Sequence, residues 1–175
     1  MTTTASPPTA QPASAKPLVA PGFFLGLGLA GFFDGIVLHQ ILQWHHMLTD
    51  AGYSAETVSG LEINTLADGF FHLGSAVLTA VGVGLLWRVG RQVQAAGSGR
   101  VFGGALLLGA GTFNLVEGLI DHYILQIHHV KSGPHEAAWD LGFLIVAGLL
   151  MAIGWGLMQS GLKLSASGTA GREPV

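Results

Sequence analysis

Four long stretches of this chain carry almost no charged side chains, and this constrains its fold more than any other feature. They run from about Pro21 to Trp44, Leu66 to Trp87, Val101 to Ile127 and Ala137 to Leu162. Gly69 to Trp87 and Leu141 to Leu162 contain no Asp, Glu, Lys or Arg. Each stretch reaches the roughly 20 residues that an α-helix needs to cross hydrocarbon. The alternation of a membrane β-barrel strand is absent, which leaves helices as the form that satisfies the backbone in lipid. Composition agrees. Charged residues make up 10% of the chain and mean hydropathy is +0.54, whereas soluble domains carry about 25% charged residues. The expected architecture is all-α: a polytopic membrane protein, a four-transmembrane-helix bundle whose solvent is the lipid bilayer. Net charge is −3 with no basic block, which argues against nucleic acid as a partner. With no cysteine there is no disulfide, thiolate nucleophile or Cys-ligated metal.

The flanks read as tails. Residues 1–17 are rich in Thr, Ser, Pro and Ala and lack the basic start of a secretory signal, so they read as disordered. The membrane domain is expected over 18–163 and a second disordered tail over 164–175. Ser59 with Glu62 reads as a capping box before the second span, and Pro134 as a first-turn proline of the fourth. Gly22/Gly26, Gly31/Gly35 and Gly148/Ala152/Gly156 have the spacing that lets helices approach closely in lipid.

Loop charges give a direction. Lys16, Arg88, Arg91, Arg100, Lys163 and Arg172 fall in the tails and the 2–3 loop, against Lys131 alone on the other side. By the positive-inside rule both termini are cytoplasmic, as expected for a bacterial inner-membrane protein. Nine of the ten acids lie towards the outside; only Glu173 is inside.

The sequence also repeats. Residues 34–46 read DGIVLHQILQWHH and residues 117–129 read EGLIDHYILQIHH, with seven of thirteen positions identical. Asp68-GFF-His72 aligns more weakly with Glu136-AAW-Asp140. The chain therefore reads as two tandem helical hairpins, about 21–90 and 101–162, related by a pseudo-twofold axis along the membrane normal. All eight histidines fall in or beside these motifs, on the extracytoplasmic side.

On a regular helix, rise and angle sort these residues. A middle layer is expected to hold His39, His72, His122 and Asp140, with Asp68 and Asp121 about a turn away or less. A shallow layer would hold His45, His46, His128, His129 and His135. Asp34 and Glu117 would lie about 7–8 Å deeper. At about 100° per residue, Asp34 shares a face with His45 rather than with His39. Asp68 and His72, at i and i+4, could grip one ion.

Buried acids need counterions, and Lys131 is the one base on that side. Imidazoles beside carboxylates on facing helices are how metal centres are built in helix bundles. Asp34, His39, His45, His46, Asp68, His72, Glu117, Asp121, His122, His128, His129 and Asp140 are thus candidate metal residues, as ligands or as groups that orient ligands. Without thiolates, such a set suits zinc, iron or copper.

At these residues the chain resembles a family of bacterial proteins known as a predicted four-span membrane domain of unknown function. The strings GFFDGIVLHQILQWHHML and NLVEGLIDHYILQIHH carry the likeness, which spans about Pro21 to Leu162. The resemblance implies an integral membrane protein and no particular chemistry.

The sequence supports a metalloenzyme or metal-handling membrane protein. It does not decide between enzyme and carrier, since no HExxH or other hydrolase signature is present. Three alternatives stand beside it: a haem-binding electron carrier with His39 and His122 as axial ligands, a proton relay, and a structural subunit with no metal. A homo-oligomer, or a respiratory or metal-handling partner in the membrane, is compatible with each.

Overall fold

The fold is taken from a computed structural model of the chain, which describes residues 14–90 and 94–170. Within these residues it is all-helical. A short 3-10 turn (Lys16–Leu18) leads into α1 (Val19–Phe33), which passes into a π-helical segment (Asp34–Ile41). After a loop come α2 (Val58–Val89), then α3 (Ser98–Glu117) with its own π segment (Gly118–Ile124), and finally α4 (Glu136–Ala170). Four of these helical runs are long and apolar enough to cross a membrane. Arg91, Arg172, Glu173 and the expected tail residues 1–13 and 171–175 lie outside the described residues.

The central pair is α1 with α3; α2 packs on α1 and α4 on α3. Glycine sets the closeness of the central pair. A Cβ on Gly26 would run into the backbone of Leu106 and Ala110, and one on Gly109 into the backbone of Phe23 and Leu27. Those two glycines occupy corresponding positions of the sequence repeat, so each helix supplies the gap that the other fills.

Polarity is distributed as lipid requires. Trp87, Ile124 and Phe70 are 83%, 73% and 67% exposed on the outer surface. At one end the interior holds Val101, Ala105 and Met158. At the other it is packed with Asp34, His39, His45, Asp68, Glu117, His122, His128 and Asp140, all buried.

Several local expectations need correction. The cap of α2 is Thr57, whose Oγ1 accepts from the Gly60 amide at 3.1 Å. Ser59 lies inside the helix, because the chain turns into helix earlier than the apolar run suggests. Pro134 precedes α4, which opens at Glu136 after the left-handed Gly133 (φ 110°). At its far end α4 continues past residue 163 to Ala170, where Ser165 Oγ accepts from the Ala15 amide at 3.0 Å. Gly148 and Gly156 face open space. The α4 glycines that make close contacts are Gly154, against Gly104, and Gly161, against Gly97.

The π segments position the site. Leu42 N donates to Val37 O (2.8 Å) and Leu125 N to Ile120 O (2.7 Å), each spanning five residues. One step on, Trp44 N donates to Leu38 O and Ile127 N to Asp121 O, both at 3.0 Å across six. The widening ends at Gln43 (φ 49°) and Gln126 (φ 52°), both left-handed, and there the chain folds back towards the bundle.

Candidate metal centre

In a regular helix, residues five apart point about 140° away from each other. The i→i+5 winding of a π segment removes that divergence. It brings Asp34 to His39 (Oδ2 to Nε2, 3.1 Å) and Glu117 to His122 (Oε1 to Nε2, 3.1 Å). The left-handed glutamines then turn the His-His pairs inward. His45 and His128 thus arrive at Asp34 and Glu117 rather than in a shallow layer above them.

Two groups result. Ligating atoms of Asp34, His39 and His45 lie within 4.8 Å of one another, as do those of Glu117, His122 and His128, and all six residues are buried. These are the groups of three or more such residues, among those described, that could hold a metal ion. They adjoin: the His45 and His128 rings stack in parallel, 4.5 Å apart and 5° from coplanar. His39 lies 4.5 Å from His45, and His122 lies 5.0 Å from His128.

The far side of each ring is held by protein. Asp68 lies 2.9 Å from His39 Nδ1 and accepts from His46 Nδ1 (2.7 Å), Gln40 Nε2 (3.1 Å) and the Met47 amide (3.0 Å). Asp140 does the same work in the second group. It lies 3.2 Å from His122 Nδ1 and accepts from His129 Nδ1 (2.6 Å) and the Val130 amide (2.9 Å). Phe71 packs on His39 and Phe143 on His122. Asp68 therefore corresponds to Asp140 and Phe71 to Phe143. The alignment of Asp68 with Glu136 is off by four residues, one helical turn, because the Leu-Gly pair that the two strings share (Leu73-Gly74, Leu141-Gly142) carries little register information in glycine-rich helices.

The central pair is braced across the two halves. His45 Nδ1 donates to the Val130 carbonyl (2.9 Å) and His128 Nδ1 to the Met47 carbonyl (3.2 Å). A carbonyl can only accept, so the proton of each ring sits on Nδ1. A neutral His45 then turns its Nε2 lone pair to the site, whereas His128 Nε2 donates to the Glu117 carboxylate. Burial, with the charges of His128 and His39 adding to it, lowers the pKa of His45 to about 2 and keeps it neutral. Burial also opposes a charge on His128. Its hydrogen bond to Glu117 (2.8 Å) and the charge of that carboxylate outweigh burial, and its pKa is raised.

Unpaired polar atoms therefore meet in the site. Asp34 Oδ2, His39 Nε2, His45 Nε2, Glu117 Oε2 and His122 Nε2 are all buried without a hydrogen-bond partner. An ordinary interior pairs such atoms.

The remaining candidates sit elsewhere. His72 lies beside Gly35, stacked on Phe32 (6.1 Å), and belongs to neither group. Asp121 is half-buried and belongs to neither group, and Glu136 is exposed at the start of α4. The expected centre of His39, His72, His122 and Asp140 is thus not assembled. The roles of Gln40 and of the Met47 and Val130 carbonyls had no sequence signal.

Residues 21–161 match the family described as "Predicted membrane protein (DUF2243)". No match is found among curated proteins or among solved structures.

Proposed function

The chain belongs to that family of predicted membrane proteins, DUF2243, and we propose that it is a membrane metalloprotein that holds two transition-metal ions in one joined centre. The observation that carries this reading is the meeting of Asp34 Oδ2, His39 Nε2 and His45 Nε2: three buried atoms able to ligate a cation, none of which has a hydrogen-bond partner. A cation among them would satisfy all three at once, and buried polar atoms ordinarily have such a partner. Glu117, His122 and His128 supply the second place.

In this reading Asp34, His39 and His45 ligate one ion, and Glu117, His122 and His128 the other. Asp68 and Asp140 orient the rings, as carboxylates behind ligating histidines commonly do. His46 and His129 anchor those carboxylates. Imidazole and carboxylate without thiolate suits zinc, iron or copper. Such ions supply Lewis acidity or electron transfer, in a metalloenzyme or a metal-handling role. The positive-inside bias supports an extracytoplasmic site with both termini cytoplasmic. A haem has less support, because a macrocycle between His39 and His122 would need the space taken by the His45–His128 stack.

Elemental analysis of protein purified from cells grown with each metal in turn tests the proposal. The expected content is two ions per chain, one for each group. A content below about 0.2 per chain under every supplement would overturn it, since buried sites of this kind retain their metal through purification.

A further inference from the structure

An apolar cleft of about 600 Å³ lies along α1, its π segment, α3 and α4. That is within the range of roughly 300–1,000 Å³ typical of small-molecule sites. Along α1 it runs from Gly26 to Leu38, a length on the order of 15 Å. Its walls include Leu29, Phe33, Phe143 and Val146, and the rims at Leu29, Phe33 and Val146 are exposed sideways, where a spanning helix meets lipid. Among the described residues of the lining, Asp34 is the one that carries a charge and Asn114 the one amide. Asp34 also belongs to the first His/carboxylate group, so the cleft reaches the candidate centre through a shared side chain.

The upper end has a different character. Trp44 and Trp139 meet there with ring centroids 5.2 Å apart. The Lys131 ammonium lies over both, 4.9 Å from one ring and 5.6 Å from the other. Tryptophan with lysine marks the headgroup level of a bilayer, and the ammonium favours a neutral or anionic group beside it.

We propose that the cleft binds a lipid-borne single-chain amphiphile, an alkyl or prenyl chain with a neutral or anionic polar end. The polar end sits beneath Lys131, and the chain lies along α1 against Asp34. A water-borne ligand would need polar groups along its length, and the lining offers an acid and an amide in an otherwise apolar wall. The proposal rests on the metal reading for what the chain meets at Asp34; its binding test does not.

The probe is 5-doxylstearate, whose nitroxide, close to the polar end, quenches tryptophan at short range, in neutral phosphatidylcholine nanodiscs. Trp87→Phe with Trp155→Phe leaves Trp44 and Trp139 as the emitters, because the chain has four tryptophans. Quenching should saturate near one probe per chain. Gly142→Leu fills the cleft from a position whose Cβ meets nothing within 4 Å, and Val146→Phe closes its lipid rim. Each should raise the half-quenching mole fraction at least about tenfold, whereas Gly148→Leu, which faces open space on the same helix, should not. Quenching that rises in simple proportion to bulk probe, and equally in the parent and both cleft variants, would overturn the proposal. Chelator-treated protein should quench like loaded protein. Missing metal would therefore sink the metal reading and leave the cleft standing, and missing saturation the reverse.

Discussion

Each histidine of the central pair uses its two nitrogens differently. Nδ1 donates to a carbonyl of the other half, and Nε2 faces the acid and histidine of its own group. Removing a ring and removing the group behind it should therefore have different consequences. His45→Ala takes away a ligand, and metal content should fall from two ions towards one or fewer, read by elemental analysis. Asp68→Asn keeps every ligand but removes the carboxylate that orients His39 and His46. Its metal content at saturation should persist, with affinity lowered about 10–100-fold in competition with a chelator. Asp140→Asn should match it at the second group. Equal behaviour of His45→Ala and Asp68→Asn at saturating metal would refute this division of labour.

At the scale of elements, the spans were legible because hydrophobic length is a matter of counting, and lipid leaves the backbone few alternatives. The site residues were legible because a duplicated string of acids and histidines stood out from Gly, Ala, Leu and Val. Their arrangement was not. At 100° per residue Asp34 and His39 belong on different faces, yet the structure places them 3.1 Å apart. No residue type announces an i→i+5 segment. The one clue was a spacing of five from acid to histidine in both copies, which regular helix geometry cannot use. Deleting Val37 would restore a spacing of four and a narrower turn. The span should still insert, by protease protection, while the metal of the first group is lost. The left-handed glutamines close the same turn. Gln43→Gly accepts that conformation freely and should leave the melting temperature unchanged or higher, whereas Gln43→Val should cost about 1–2 kcal/mol.

For the molecule as a whole, the acids and histidines buried at one end are held within helices that pack closely through glycine. Gly26→Leu should be strongly destabilising, by about 3 kcal/mol or more, because its side chain must displace the α3 backbone. Gly156→Leu, with nothing near its Cβ, should be tolerated, and thermal unfolding in detergent would separate the two. Bound metal should raise the same transition, by about 2.7 kcal/mol at a free concentration 100 times its Kd. The reciprocal carbonyl braces carry a consequence for biogenesis. His45 is steadied by a carbonyl 85 residues further along the chain, and His128 by one 81 residues back. The first hairpin therefore enters the membrane with its own histidine unbraced, and gains its carbonyl only when the loop after the third span has been made. A chain stalled before Val130 would hold Asp34, His39 and His45 without the brace on His45, so in the proposed reading the first group has its ligands early and its fixed geometry only once the second half is made.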